Sequence, residues 1–197
     1  MITSRVCEII WFAGLVGWYI IRYPFERRAK KVDVTKSLFD WRESGLLALA
    51  FVGLWIVPLI YALTGFPAWF DRPLIPAIAV LGVVFLCGAL LLFYRSHVDL
   101  GRNWSISLQI RREHRLVTTG IYRLIRHPMY ASFFLLAIAQ LALLPNWFAG
   151  AAGLVGVGLL YGFRVWPEEQ MMLERFGAEY QDYMAQTGRL IPWFRAS

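Results

Sequence analysis

Five runs of apolar residues divide the chain, at residues 6–21, 44–63, 74–94, 129–144 and 147–163. The second and third runs are each about 20 residues long, enough for an α-helix to cross a hydrocarbon core of roughly 30 Å. The fourth and fifth are shorter and meet at Leu144-Pro145-Asn146-Trp147, a turn signal that predicts a tight helical hairpin. The pattern therefore predicts an all-α integral membrane protein with about five transmembrane helices.

The first run has two interpretations, because Glu8 lies near its outer end and an N-terminal signal peptide is also apolar. A signal peptide ends in a small-residue cleavage site of the A-x-A type, and this run lacks one. We therefore predict a transmembrane helix that is retained.

The placement of basic residues predicts the topology. Arg and Lys crowd the connection between the first two runs, the connection between the third and fourth, and the tail after the fifth. The other two connections hold one cation, Arg72. Because cytoplasmic segments carry the excess of Arg and Lys, the N-terminus should lie outside and the C-terminus in the cytoplasm. The same rule accounts for the net charge of +7, so we expect no nucleic-acid partner.

Small and polar residues inside the last two runs predict helix packing. Gln140 lies at membrane depth, where an amide is expected to form an interhelical hydrogen bond. Small residues let helices approach closely. The fifth run contains five glycines, Gly150, Gly153, Gly156, Gly158 and Gly162.

Functional side chains concentrate in two segments that the topology places in the cytoplasm, residues 95–127 and 164–197. In the first, His127-Pro128 predicts a helix start, because proline suits the first helical position and disfavours helix at the residue before it. The amides of that first turn would be open to an anion such as a carboxylate. The alternative is a belt of Arg, His and Tyr that only anchors a helix end in the interface.

The second segment begins with Arg164-Val165-Trp166-Pro167-Glu168-Glu169. Arg164 and Glu168 are four residues apart and share one face of a continuous helix, which Pro167 can kink. Two carboxylates at a membrane boundary are costly unless a positive group satisfies them, which indicates a binding site. The alternative is a solvated acidic helix start formed by Glu168, Glu169 and Glu174.

Taken in order, these segments resemble the isoprenylcysteine carboxyl methyltransferase family. The resemblance covers about residues 100–194 and opens with Leu100-Gly101-x-Asn103-Trp104. It continues through His-x-Leu-Val-Thr-x-Gly-x-Tyr from His114 and Arg-His-Pro-x-Tyr from Arg126. It then runs through Arg-x-x-x-Glu-Glu from Arg164 and Phe176-Gly177-x-x-Tyr180-x-x-Tyr183, and closes near Pro192.

The resemblance implies a membrane enzyme that uses S-adenosylmethionine to methylate the carboxylate of a lipophilic, isoprenylcysteine-like acceptor drawn from the bilayer. It implies that Arg164 faces the acceptor. The chemistry of the residues agrees, since Glu168 could pair with the cofactor's ammonium, and His127 and the first-turn amides could accept its carboxylate. Nothing in the sequence calls for a metal. The implied cofactor contacts are Gln109, His114, Val117, Tyr122, His127, Pro128, Met129, Tyr130 and Glu168.

Two departures from the family pattern are typical of its compact prokaryotic branch. The acidic run is shortened to Pro167-Glu168-Glu169, and the chain has fewer spans than the eukaryotic enzymes. We therefore expect a multi-pass protein of the prokaryotic inner membrane whose site faces the cytoplasm. Residues 1–95 would form three helices with a basic loop, and residues 96–197 a catalytic half.

Two other functions remain open. A phospholipid amine or a small thiol could be the methyl acceptor, in which case a base would be expected near Arg164. A non-enzymatic transporter or scaffold is the other alternative. A transporter should place ionisable groups near mid-membrane, whereas here they crowd the cytoplasmic ends.

Overall fold

The computed structural model describes residues 3–29, 34–37, 41–101, 109–111 and 116–193. These residues form seven α-helices: α1 (Ser4–Ala29), α2 (Trp41–Phe51), α3 (Val57–Thr64), α4 (Pro76–Leu100), α5 (Pro128–Leu143), α6 (Trp147–Phe176) and α7 (Ala178–Gln186). A π-helical segment, Val52–Ile56, joins α2 to α3. The predicted helical membrane architecture is confirmed.

A short antiparallel sheet joins two of the loops and was not predicted. Strand β1 (Val34–Ser37) follows α1, and it pairs with β2 (Gln109–Arg111), which follows α4. Strand β1 lacks the alternation of apolar and polar residues that identifies a half-buried strand in a sequence, and β2, with three residues, is too short for its alternation to be informative. The pairing ties the loop after the first helix to the segment that precedes the fourth.

The helices match the five predicted spans. Four stretches are long and apolar enough to cross a membrane, and α5 is a shorter apolar helix. The long stretches are Ser4–Arg28, Trp41–Thr64, Pro76–Leu100 and Trp147–Phe176. Helix α6 has 30 residues and continues through Pro167. At 1.5 Å per residue it is about 45 Å long, so its last turns extend beyond a hydrocarbon core of roughly 30 Å.

Helix α5 lies at the centre of the bundle. It packs against α4 on one side and α6 on the other, while α1 covers α4 and α2 covers α6. Its fully buried residues include Ala137, Ala139 and Leu143, and Trp11 and Leu15 of α1 are equally buried. The first helix is therefore part of the packed bundle.

Glycines set the distance between α6 and the second span, as predicted for part of the glycine run. A methyl group on Gly156 would lie 2.9 Å from the Cα of Ala50, and one on Gly153 would lie 2.6 Å from Oε1 of Gln140. Gly53 is tighter still, since its methyl group would lie 2.4 Å from the carbonyl oxygen of Ala152.

For two of the five glycines the packing prediction is wrong. In the part of the chain that the structure describes, nothing lies within 4 Å of a methyl group added at Gly158 or Gly162, because no described helix packs closely against their side of α6. Gly150 does follow the prediction, with the side chain of Leu141 at 3.1 Å.

The interhelical hydrogen bond predicted for Gln140 is confirmed. Its amide nitrogen donates to the carbonyl oxygen of Gly53 at 2.9 Å and to that of Ala149 at 2.6 Å. Gly53 lies in the π-helical segment, where the ordinary hydrogen-bond ladder of an α-helix is interrupted. Gln140 thus satisfies a backbone carbonyl of the second span from the neighbouring helix.

The end of the bundle that carries the N-terminus is closed by polar contacts between short loops. Asn146 caps α6 by accepting from the amide of Ala149 at 2.9 Å, and it donates to Oδ1 of Asp71 at 2.8 Å. The guanidinium of Arg72 donates to the carbonyls of Leu141 and Leu144, the last of which lies 3.3 Å away. The single cation of the predicted outer loops therefore caps the C-terminus of α5.

A methyl group at Gly53 should separate the second span from α6. We expect Gly53→Ala to lower the free energy of unfolding by about 1–3 kcal/mol, because the atom it meets is backbone and cannot rotate away. Thermal unfolding in detergent, followed by circular dichroism, measures the change. Gly45→Ala is the matched control on α2, since nothing lies within 4 Å of its added methyl group. Equal stability of the two variants would contradict the packing described.

Candidate functional site

At the opposite end of the bundle, the start of α5 meets the last turns of α6. The hydroxyl of Tyr130, in the first turn of α5, donates to Oε2 of Glu168 at 3.0 Å. Pro128 occupies the first turn, and the cap residue His127 makes no side-chain capping bond to it. The arrangement places a carboxylate beside a helix N-terminus whose early amides are open to an anion.

The neighbouring carboxylate, Glu169, is 1% exposed and forms the centre of an ion-pair cluster. It accepts from Nε of Arg126 at 2.8 Å, Nε2 of His127 at 3.1 Å and Nη2 of Arg189 at 2.6 Å. A buried carboxylate is tolerated only when charged hydrogen-bond donors satisfy it. Here Arg126 and His127, at the start of α5, and Arg189, in the tail, supply the donors that satisfy Glu169.

The tail after α7 is held against the start of α5 by its backbone as well. The amide of Arg126 donates to the carbonyl of Gly188 at 2.9 Å, and that of His127 donates to the carbonyl of Arg189 at 2.9 Å. The guanidinium of Arg126 also donates to the carbonyl of Thr187. The tail therefore forms one wall of the site.

Tyr122 lies on a short 3₁₀ turn, Gly120–Arg123, that precedes α5. Asp99 fixes this turn by accepting from the amide of Ile121 at 2.8 Å, and a methyl group on Gly120, whose φ is +61°, would lie 2.3 Å from that carboxylate. Burial raises the pKa of the Tyr122 hydroxyl, and the negative charge of Glu168 raises it further. The phenol therefore stays protonated beside the carboxylate.

Helix α6 also presents Arg164, one turn before Glu168. Nη2 of Arg164 lies 3.1 Å from Oε1 of Glu43, and the side chains are 13% and 5% exposed. Among the described residues, no acceptor lies within hydrogen-bond distance of the buried Nε of Arg164. One edge of the guanidinium is thus held by α2, while another donor remains for a ligand.

The structure brings together most of the residues implied by the resemblance. Tyr122, His127, Pro128 and Tyr130 are buried around the start of α5, with Glu168 beside them and Met129 half-buried in the same turn. Val117 is half-buried just before the 3₁₀ turn. Gln109 lies in β2, paired through its backbone with Ser37, and His114 lies outside the described residues.

The side chain of His127 differs from what was expected. Its Nε2 is engaged by Glu169, so that nitrogen does not point to a separate carboxylate ligand. The reason is the buried carboxylate of Glu169, which is satisfied by His127 together with Arg126 and Arg189. The first-turn backbone of α5 remains suited to an anion, because backbone amides require no charged side chain to bind one.

Sequence reasoning missed three residues at this site: Glu43, Arg189 and Asp99. Glu43 had a usable signal, because it is an acidic residue at the edge of an apolar span. Arg189 and Asp99 had none, since nothing in their spacing relates them to Glu169 or to Ile121.

The site can bind a ligand that carries both signs of charge. Glu168 offers an anion for an ammonium, the first turn of α5 offers amides for a carboxylate, and Tyr122 and Tyr130 offer aromatic surface. Arg164, one turn from Glu168, can bind a second anion by donating hydrogen bonds to it. Across the described residues, no group of three or more His, Cys, Asp or Glu side chains is placed to hold a metal ion.

Comparisons with known proteins all point to one family. Residues 78–174 match the model of the isoprenylcysteine carboxyl methyltransferase family. Protein-S-isoprenylcysteine O-methyltransferase B of Arabidopsis thaliana is 31% identical over 98 residues, which cover 49% of this chain and 50% of the relative. The Dictyostelium discoideum protein-S-isoprenylcysteine O-methyltransferase is 25% identical over 195 residues, covering 93% of this chain and 76% of that protein.

A solved structure agrees with the sequence comparisons. The eukaryotic intramembrane Ras methyltransferase, isoprenylcysteine carboxyl methyltransferase, superposes with a TM-score of 0.52 at 25% identity, covering 76% of this chain and 50% of that one. The fold and site thus define an all-α, multi-pass membrane protein. Over about half of its length, the chain is similar to the isoprenylcysteine carboxyl methyltransferase family. It covers half of the length of the Arabidopsis relative.

Loss of the Glu169 carboxylate should loosen the tail. We expect Glu169→Ala to lower the free energy of unfolding by about 3–5 kcal/mol, because it leaves buried cationic donors without their acceptor. It should also expose the bond after Arg189 to trypsin, which limited proteolysis detects. Glu174→Ala, at an exposed position of the same helix, is the control. Trypsin resistance like that of the unaltered chain would show that Glu169 does not hold the tail.

Proposed function

We propose that this protein is an S-adenosylmethionine-dependent methyltransferase that methylates the carboxylate of an isoprenylcysteine-like lipophilic acceptor. The observation that carries the proposal is the meeting of Glu168, Tyr130 and the open first turn of α5, with Arg164 one turn away. We further propose that the site faces the cytoplasm from a prokaryotic inner membrane, because basic residues lie near the C-terminal ends of α1 and α4 and just before α5 at this end of the bundle, among them Arg27, Arg28, Arg95, Arg123 and Arg126.

The cofactor's charges suit the groups at the site. Glu168 would pair with its ammonium, and the amides of the first turn of α5 would receive its carboxylate. Tyr122, Tyr130, Met129 and Val117 would surround the adenosine. Gln109 and His114 belong to the same proposed set through the family motif. When bound, the cofactor supplies an electrophilic methyl group.

Arg164 would orient the acceptor. A carboxylate is ionised at neutral pH, so its methylation requires no general base. The remaining requirements are alignment of the acceptor oxygen with the methyl group and removal of water from that oxygen. A guanidinium can align a carboxylate through two parallel hydrogen bonds, and the burial of Arg164 at the end of a membrane span keeps the region dry.

The two parts of the chain have different proposed roles. Residues 96–197 would supply the cofactor and acceptor contacts, and residues 1–95 would supply the membrane scaffold. The Glu43–Arg164 ion pair joins the two parts directly at the site.

One observation favours a second candidate function. Methylation of a phospholipid amine or a small thiol would require a base near Arg164, and the carboxylate of Glu43 is 3.1 Å away. The membrane supplies phospholipid amines at the same depth as the site. The acceptor must therefore be tested directly.

Cofactor binding and acceptor choice can be measured with the purified chain in detergent. Titration calorimetry should show saturable binding of S-adenosylmethionine. Transfer of a radiolabelled methyl group should then be seen with N-acetyl-S-farnesyl-cysteine, and not with phosphatidylethanolamine or methanethiol. Absence of cofactor binding by folded protein would refute the enzyme proposal, and activity on the amine or thiol alone would refute the carboxylate acceptor.

Variants of α6 should separate cofactor binding from acceptor orientation. We expect Glu168→Ala to abolish binding of S-adenosylmethionine, because the ammonium loses its only anionic partner in the proposed site. Arg164→Ala should retain that binding and lose turnover. The control Glu174→Ala should retain both. Equal loss of cofactor binding in the Glu168 and Arg164 variants would show that Arg164 contacts the cofactor.

A further inference from the structure

Glu43 lies in a part of the chain that the family match does not reach. The matched residues are 78–174, whereas Glu43 occupies the first turn of α2. It is 5% exposed, and its carboxylate meets the guanidinium of Arg164 at 3.1 Å. A residue of the membrane scaffold therefore touches the residue that we propose to orient the acceptor.

The close approach of α2 to α6 brings this pair together. Gly156 lies against Ala50 and Leu49 on the face of α6 that packs on α2. A glycine there removes the side chain that would hold the two helices apart, and Arg164 follows two turns later on α6. The position of Glu43 is thus fixed by backbone packing as well as by charge.

The geometry of the pair leaves a buried donor of Arg164 without an acceptor among the described residues. A guanidinium has five N–H donors in a rigid plane, and Nη2 is engaged by Glu43. The buried Nε has no acceptor among the described residues. Because the fork is planar, holding one edge sets the direction of the other donors.

We propose that Glu43 is a positioning residue that holds Arg164 in the orientation needed to receive the acceptor carboxylate. The inference rests on the proposed function. Glu43 acts through Arg164 and has no contact with cofactor or acceptor. Breaking a buried pair also leaves Arg164 with an uncompensated charge, so the guanidinium would turn toward other anions. Glu168, one turn away, is the nearest of these on its own helix.

Positioning explains the pair better than general-base catalysis does. The Oε1 of Glu43 lies 3.1 Å from the guanidinium of Arg164, so that oxygen already holds a cationic donor and is not directed at an acceptor. Tyr130 lies within electrostatic range of both Glu43 and Arg164, so the pair also belongs to the network around Glu168.

The two roles give opposite results with Glu43→Gln. A glutamine retains an oxygen that accepts from Arg164, so a positioning residue should tolerate the change with a loss of turnover below about fivefold, whereas a base would be lost completely. Glu43→Ala should reduce kcat by about 10- to 100-fold, the scale expected when a reacting group is misplaced by about 1 Å. The Kd for S-adenosylmethionine should stay unchanged in both variants.

Combining the substitutions tests whether Glu43 acts through Arg164. In an Arg164→Ala background, Glu43→Ala should produce no further loss of turnover, because the group that it positions is gone. The matched control is Glu8→Gln, another buried carboxylate paired with an arginine, but at the opposite end of the bundle. This control should retain unaltered turnover.

Each measurement uses the full chain in detergent, with N-acetyl-S-farnesyl-cysteine as acceptor and thermal unfolding as the check on folding. Unaltered kcat in folded Glu43→Ala, or additive losses in the double variant, would overturn the positioning role while leaving the proposed function intact. A loss of turnover in Glu43→Gln as large as that in Glu43→Ala would also overturn the positioning role. A parent chain that binds no S-adenosylmethionine would overturn the proposed function, and the inference with it.

Discussion

The buried carboxylate of Glu169 organises the end of the bundle where the candidate site lies. It joins the last turns of α6 to Arg126 and His127 at the start of α5 and to Arg189 in the tail. Such a cluster adds little net stability over a well-packed apolar core, but it is costly to disrupt, because each charge depends on the others. It therefore holds three separate chain segments in one geometry.

That constraint gives the adjacent carboxylates of α6 different roles. Consecutive residues on an α-helix point about 100° apart, so Glu169 can face the cluster while Glu168 faces Tyr130. Glu169 is surrounded by hydrogen-bond donors of the same chain, Arg126, His127 and Arg189. Glu168 has a phenol hydroxyl as its described partner and remains suited to a cationic ligand.

Helix length and close packing determine where these groups lie. Helix α6 is longer than the hydrocarbon core of a membrane is thick, so its last turns, which carry the acidic residues, can extend beyond that core. The small residues Gly53 and Gly156 let the second span lie directly against α6. The same packing brings Glu43, at the end of that span, to Arg164.

The amino-acid sequence by itself determined the spans, the hairpin at Pro145 and Asn146, and the segments that form the site. These follow from local properties: the length of an apolar run, the turn preference of a dipeptide, and the fixed geometry that relates Arg164 to Glu168 on one helix. Only the tertiary structure decided that Glu169 is buried among hydrogen-bond donors, that His127 faces it, and that Glu43 reaches Arg164. Those contacts join residues that lie from 20 to 121 positions apart. Their partners depend on how the helices pack, and no local pattern in the chain encodes that.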